Sequence, residues 1–539
     1  LEINNSYVSM NAYGGGNNAN VRGSTDVLLI NSGQVRLNLY GGGNNGEVLE
    51  STNVDIRNGI VGTSAYAGGN GGPATVLKDT NIVVEGNSRI GRHVFGGGNE
   101  AAVVGNTEVN ICTQSSVEMN TEPNHLGTSD TDYTYNDTKK KYIVPVVSAN
   151  ITSNVFGAGK GVETDVTKAM VSGKCTVNMA NGTVKKSVYG GGELSQVDGD
   201  TEITVSGGTI GTPNEGTTVY GGATYGNIYG GGQGNTTTPD AGLIKGNTKI
   251  TVQNTVVDEN TTLTPTILHN IYGGGAYGTV GEFEYDTETG LPTGRKTYTV
   301  GGIEETTTGG NTEVYITGGI IGTNGNENGM IFGSSRGDVG APGSIHDKTA
   351  WVYDTHVAIG DTATNATITT ATPLIKGSVY GGGENGHNFH SSFVRINGGT
   401  IGITEGEPIG TYIAGGASYP YRGNVYGGGC GTDMYDSDND DEEDSYNPLA
   451  GIVKGDATIK MTAGTVVHNM YGAGAMGSVG NFEKNATTNA ITFNSGGTTT
   501  IEISGGTIGV DGTAGEGNVF GAARGEYGTS TAASGFANV

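Results

Sequence analysis

Short stretches led by threonine, with Val or Ile at every second position, recur along this chain. They include Thr52-Asn53-Val54-Asp55-Ile56, Thr80-Asn81-Ile82-Val83-Val84, Thr107-Glu108-Val109-Asn110-Ile111, Thr201-Glu202-Ile203-Thr204-Val205 and Thr312-Glu313-Val314-Tyr315-Ile316. Alternation with a period of two over five residues predicts a short strand with one buried face. A second recurring piece is Gly-Gly-x-Ile-Gly, as in Gly207-Gly208-Thr209-Ile210-Gly211 and Gly505-Gly506-Thr507-Ile508-Gly509. Glycine supplies a positive φ or a close backbone approach, so these pieces predict sharp corners between strands.

The third piece is an aromatic residue followed by a glycine tract. Allowing Ala and Ser variants there are fourteen, anchored at Tyr13, Tyr40, Tyr66, Phe95, Phe156, Tyr189, Tyr220, Tyr229, Tyr272, Phe332, Tyr380, Tyr426, Tyr471 and Phe520. The residue before each anchor is apolar, from Ala12 and Leu39 to Met470 and Val519, which assigns that position to an interior. The glycines after it are assigned to a turn. Two residues before the anchor stands Asn in eight cases: Asn11, Asn38, Asn154, Asn227, Asn270, Asn424, Asn469 and Asn518. Two readings stay open here, a ladder of stacked amides or mere tolerance of turn geometry.

From Tyr13 through Tyr40 and Tyr66 to Phe95 the spacings are 27, 26 and 29 residues. Self-similarity at this period marks a solenoid or a propeller. A four-stranded propeller blade takes about 40–50 residues, more than the early spacing provides, and no segment carries a helical period. The predicted fold is all-β: a right-handed parallel β-helix (β-solenoid) with three short strands per coil and loop insertions.

A longer period follows. Val188-Tyr189-Gly190-Gly191-Gly192-Glu193 returns as Val379-Tyr380-Gly381-Gly382-Gly383-Glu384, and Ala241-Gly242-Leu243-Ile244-Lys245-Gly246 as Ala450-Gly451-Ile452-Val453-Lys454-Gly455. Tyr272 to Gly281 likewise matches Tyr471 to Gly480, and Ile331 to Gly337 matches Val519 to Gly525. The chain therefore divides into a short-coil region (1–186), a first long repeat (187–377) and a second (378–539). Length differences between the copies fall at 233–240 against 430–448 and at 281–311 against 480–498, in polar Thr, Asn, Asp and Gly, which is loop chemistry. Insertions on a solenoid project from one face, often the binding face. A further insertion at 113–147 carries Tyr133, Tyr135 and Lys139-Lys140-Lys141-Tyr142.

Composition narrows the function. Of 539 residues 101 are Gly and 12 are Pro, without the every-third-residue glycine of collagen. A net charge of −26 leaves no basic stripe to displace counterions from nucleic acid, and repels anionic membrane surfaces. No apolar run is long enough to cross a bilayer. Three cysteines, Cys112, Cys175 and Cys430, have neither disulfide-framework nor metal spacing. The sequence starts at Leu1 without Met or a signal peptide, and reads as a processed form or a fragment.

With its aromatic-glycine anchors and Thr-led strands laid out, the whole chain resembles the glycine-rich β-helical repeats of bacterial surface and adhesin-type proteins. The resemblance implies an extracellular, non-catalytic rod used for attachment, matrix or filament formation. Neither end of the sequence offers an amphipathic capping helix, so the ends are expected either to continue into more chain or to pair head to tail with further copies. Surface or matrix polysaccharide is the other expected partner. The alternative is a carbohydrate-active or carbohydrate-binding β-helix.

Four candidate chemistries remain. Asp198 and Asp200 have the form of a paired carboxylate for polysaccharide hydrolysis or lysis, but the second copy has no acids there. His387 and His390 stand three apart without an obvious third zinc ligand. The run Asp436-Ser437-Asp438-Asn439-Asp440-Asp441-Glu442-Glu443-Asp444 begins like a Ca²⁺ loop. An EF-hand needs Gly at Asp441 and Glu at Asn447, so a solvated acidic loop is the reading favoured over bound Ca²⁺. Threonine-rich strands such as Thr498-Thr499-Thr500 raise an ice-binding surface, although Glu, Asn or Lys follows the leading Thr elsewhere. No catalytic, cofactor or metal residue is assigned from sequence.

Overall fold

The computed structural model describes all residues except 114–115, 120–133, 139, 146–148, 215–222, 259–260, 325–327, 362–371, 405–410, 415–416, 421, 438–442, 495, 510–515 and 526–538. Strands make up almost all of its regular structure, and the one helix among the described residues is a 3₁₀ turn, Ile345–Lys348. The chain forms two compact units: Leu1–Thr212 with Gln253–Thr266, and Pro213–Val252 with Ile267–Val539. Each is a parallel β-helix.

In the first unit one coil runs through Thr52–Arg57, Ile60–Val61 and Ala65–Tyr66. Each strand pairs in parallel with its counterpart one coil away: Thr52 faces Thr25 and Thr80, Ile60 faces Gln34 and Arg89, and Tyr66 faces Tyr40 and Phe95. These are the three short strands expected. A fourth contact column, one residue wide, was not foreseen; Val21, Val48, Val76, Val103, Val171 and Val197 bridge in turn. The second unit repeats the plan, and in Ser392–Ile401 and Ala457–Val466 the first two strands fuse into one.

The interior is a column of aliphatic side chains, one layer per coil. Val54 and Ile56 from the long strand, Val61 from the second and Ala65 from the third are all buried, and each has buried equivalents in neighbouring coils. The residue before each aromatic does point inward, as expected. Its neighbour must then point to the other side of the strand, so the aromatics lie outside the aliphatic column. There they stack with ring centroids 4.7–4.9 Å apart from Tyr13 to Tyr189 in the first unit. The spacing is 4.5–5.0 Å from Tyr229 to Phe520 in the second. In-register parallel strands repeat at about 4.8 Å, which places like rings in contact. Thirteen of the fourteen anchors stand in these two stacks; Tyr220 lies outside the described residues.

Three hydrogen-bond devices close and stack the coils. The leading threonine is buried, and its hydroxyl donates across the coil to the carbonyl after the aromatic: Thr25 to Gly41 (2.6 Å), Thr52 to Ala67 (2.6 Å), Thr107 to Gly157 (2.6 Å). The leading threonines, Thr499 of the Thr498-Thr499-Thr500 stretch included, thus use their hydroxyls within the coil. The asparagine before the anchor forms a ladder, but to backbone: Oδ1 of Asn11 accepts from the Asn38 N–H (2.9 Å), Asn227 from Asn270 (3.0 Å), and Asn469 from Asn518 (2.9 Å). A true amide-to-amide ladder runs elsewhere, just past the glycine tracts, with Asn44 donating to Asn17, Asn70 to Asn44 and Asn99 to Asn70 at 2.6–2.8 Å.

The glycines divide into two kinds. Gly208, in the Gly-Gly-x-Ile piece, has φ +81° as a corner requires. The glycine directly after the aromatic was assigned to a turn, yet Gly96 has no positive φ. A Cβ there would sit 2.1 Å from the Gly157 carbonyl oxygen of the next coil. Close packing of coil on coil, rather than turning, excludes a side chain.

Candidate functional site

The insertions of the second unit gather on one face. Hairpins Phe283–Tyr285/Pro292–Arg295 and Phe482–Lys484/Ile491–Phe493 occupy equivalent places in the two sequence copies. They pack with Trp351, Leu449 and Ile452 into an apolar cluster that also touches Tyr353, Phe389, Ile491 and Phe493. Below it the fourth column broadens into a true strand pair, Trp351–Val352 against His387–Asn388. This satellite core explains why the insertions share a face: each hairpin has too few residues to bury its own aromatic, so they bury one another's.

A cavity of about 430 Å³ opens beside Phe283. Asp240, Glu282, Tyr285, Lys296 and Lys348 line it along with Leu243 and Pro239. Glu282 takes a hydrogen bond from the Tyr298 hydroxyl (2.7 Å) and lies 3.8 Å from the Lys296 ammonium. Tyr285 is partly exposed; burial is the main cause raising its pKa, with the Asp240 charge second, so its hydroxyl stays neutral. An exposed ring among paired donors and acceptors suits a polyhydroxylated ligand, which offers an apolar face and many hydroxyls.

Beneath the satellite core lies a buried ion pair. The Lys484 ammonium is 3.0 Å from Asp347 Oδ2, and Asn447 Nδ2 donates to Asp347 Oδ1 (3.1 Å). The Gly343 N–H also donates to Asp347 Oδ2 (2.6 Å).

A second charged group follows the glycine tracts. Arg336 and Glu384 hold the same post-glycine position in successive coils, and Glu384 accepts from the Tyr272 hydroxyl. Burial, then the charge of Asp433, raises the Glu384 carboxyl to about 7 against the pull of Arg336. Glu193, its equivalent in the first copy, is likewise raised by burial and opposed by Lys160 and Arg92.

The residues singled out from sequence are dispersed. Asp200 occupies the corner before a long strand, where Asp79, Asn106, Asp354 and Asp456 accept a backbone N–H from the next coil at 2.7–2.9 Å. That makes the position part of the stacking scaffold. His387 is buried with both ring nitrogens against carbonyls, Leu449 at 2.8 Å and His346 at 3.0 Å, while His390 faces Asp354 at 2.7 Å. The two imidazoles do not converge. In the acidic run, 438–442 lie outside the described residues, and Asp444 accepts from Ser437 N and Oγ. Among the described residues no three His, Cys, Asp or Glu side chains gather as a metal site, and no helix is long and apolar enough to cross a membrane.

Sequence reading missed Asp347, Asn447 and Lys484, which lie far apart in the chain. The available signal was divergence between the copies, since Lys484 aligns with Tyr285 and Asn447 with Thr238. Compared with protein-family models, curated proteins and solved structures, the chain matches none.

Proposed function

We propose that this chain is an extracellular structural and adhesive β-solenoid of the bacterial-surface type, which assembles head to tail with further copies of itself. One observation carries the reading. Every strand of a coil pairs in parallel with its counterparts in the neighbouring coils, Thr52 with Thr25 and Thr80, Ile60 with Gln34 and Arg89, and Tyr66 with Tyr40 and Phe95, so one coil face is complementary to the next. Coil faces of this kind stack on one another, within a chain or between copies. Sedimentation with negative-stain microscopy tests the assembly. Filaments or concentration-dependent oligomers are expected from the wild type; a wild type that stays monomeric at high concentration overturns the reading.

The cavity beside Phe283 favours a second reading, binding of a surface or matrix polysaccharide. Oligosaccharide binding by calorimetry is expected to fall at least tenfold in Tyr285→Ala. No binding across acidic and neutral glycans removes this reading.

A further inference from the structure

We propose that Lys484 and Asn447 become joined by an intramolecular amide bond, formed with Asp347 as the acid–base partner. One carboxyl group bridges the two reacting side chains, Oδ2 to the Lys484 amine at 3.0 Å and Oδ1 to the Asn447 amide nitrogen at 3.1 Å. The side chains of Lys484 and Asp347 are 1% and 0% exposed, and Asn447 is 5% exposed. Leu449 and Phe482, two residues from Asn447 and Lys484 respectively, pack in the same apolar cluster as Trp351. Backbone groups hold the side chains in place: Asn447 Nδ2 donates to the Gly340 carbonyl (2.8 Å) and Lys484 Nζ to the Thr289 carbonyl (3.3 Å).

A charged lysine–carboxylate pair in such a place pays a heavy desolvation penalty. Moving one proton from ammonium to carboxylate removes both charges and leaves a neutral amine, which is a nucleophile, beside a carboxylic acid. The amine lone pair then attacks Cγ of Asn447 to form the Nζ–Cγ bond. Asp347 donates its proton to the amide group and takes one from the attacking nitrogen. The Cγ–Nδ2 bond breaks and Nδ2 leaves as ammonia. The ammonium and primary amide are thus converted to a secondary amide and an ammonium ion, with atoms and charge balanced and no oxidant or cofactor required. Holding both reactants on one carboxyl supplies the proximity that an uncatalysed aminolysis lacks.

Two features separate this site from an ordinary buried ion pair. Asn447 precedes Pro448, whose nitrogen bears no hydrogen, so the usual loss of ammonia by ring closure on the following backbone N–H is blocked. An external amine is the nucleophile that remains. The first copy, moreover, has Tyr285 and Thr238 at the equivalent places and keeps the same hairpin, so the fold does not demand the lysine and asparagine. The bond would staple the 430–448 insertion to the Phe482–Lys484 hairpin.

Intact-mass spectrometry of the denatured full chain tests this. The expected mass is lower than that of the sequence by one ammonia. After trypsin, a branched peptide should contain Asn447 and Lys484, with no cleavage after Lys484. Asn447→Ala and Asp347→Ala should each restore the full mass, the latter although both reacting groups remain. The proposal is overturned by a wild type of full sequence mass, by a deficit of one water with Lys484 joined to Asp347, or by a deficit that survives in Asn447→Ala. The wild-type mass and branched peptide decide the question even if a variant does not fold.

Discussion

Alanine at Gly96 is expected to destabilise the first unit by about 3 kcal/mol or more, a large effect for one methyl group. The added Cβ would lie 2.1 Å from the Gly157 carbonyl oxygen, 3.0 Å from its carbon and 3.1 Å from Val109 Cγ2. Two of these atoms are backbone and have little room to yield. The Gly96 N–H donates to the Phe156 carbonyl at 2.9 Å, and Phe95 is stacked between Tyr66 and Phe156 at 4.7 and 4.9 Å. Relieving the clash therefore means prising two coils apart, which breaks that hydrogen bond and opens the ring stack together. Gly23→Ala is the matched control, since nothing lies within 4 Å of its new Cβ; it is expected to stay within about 0.5 kcal/mol of wild type. Urea unfolding followed by circular dichroism gives the comparison. Amide exchange at Val94–Phe95 and Val155–Phe156 shows whether the loss is local, because repeat arrays need not unfold in one step. Equal stability of the two variants would mean that the coils stack loosely enough to admit a side chain.

That glycine also marks how far the sequence could be read. Period-two alternation located the long strands, and the apolar residue before each aromatic located the interior, because both follow from which way side chains leave a strand. The same pattern could not say why threonine leads or why glycine follows. Both answers lie across the coil or in the next one: the Thr52 hydroxyl reaches the Ala67 carbonyl, and Gly96 lies against Gly157. Tyr220 shows the limit from the other side. It fits the motif, yet it stands nine residues before Tyr229, where neighbouring anchors are otherwise 26 or more apart. The insertion face was legible only as a location. Phe283 and Phe482 fall in the stretches read as differing between the copies, 281–311 against 480–498. The meeting of Asp347, Asn447 and Lys484 depends on how unrelated loops fold over Trp351, which no periodicity encodes.

Stability of the wild type relative to Glu384→Gln is expected to fall as pH rises from 4.5 to about 7, the interval between the ordinary glutamate value and that of Glu384 in the folded protein. Burial is the main reason its carboxyl is raised. Asp433, held by Asn385 at 2.6 Å, adds to the rise, while Arg336 and the Tyr272 hydroxyl oppose it. The folded state therefore keeps a proton that the unfolded chain has released. Its contribution is complete below pH 4.5 and is lost as pH rises through about 7. The full shift corresponds to about 3 kcal/mol as an upper bound. Gln is similar in shape, still accepts from Tyr272 and carries no titrating proton, so the variant lacks this slope. Four histidines act in the opposite sense, among them His387, which burial also lowers. Burial lowers His93, His269 and His356 to about 4, so each costs stability as pH falls below 6.5. They are common to both proteins and cancel in the difference. Chemical denaturation of the pair across this range is the measurement: a declining difference places the proton on Glu384, and a flat one means that Arg336 holds the carboxylate ionised throughout.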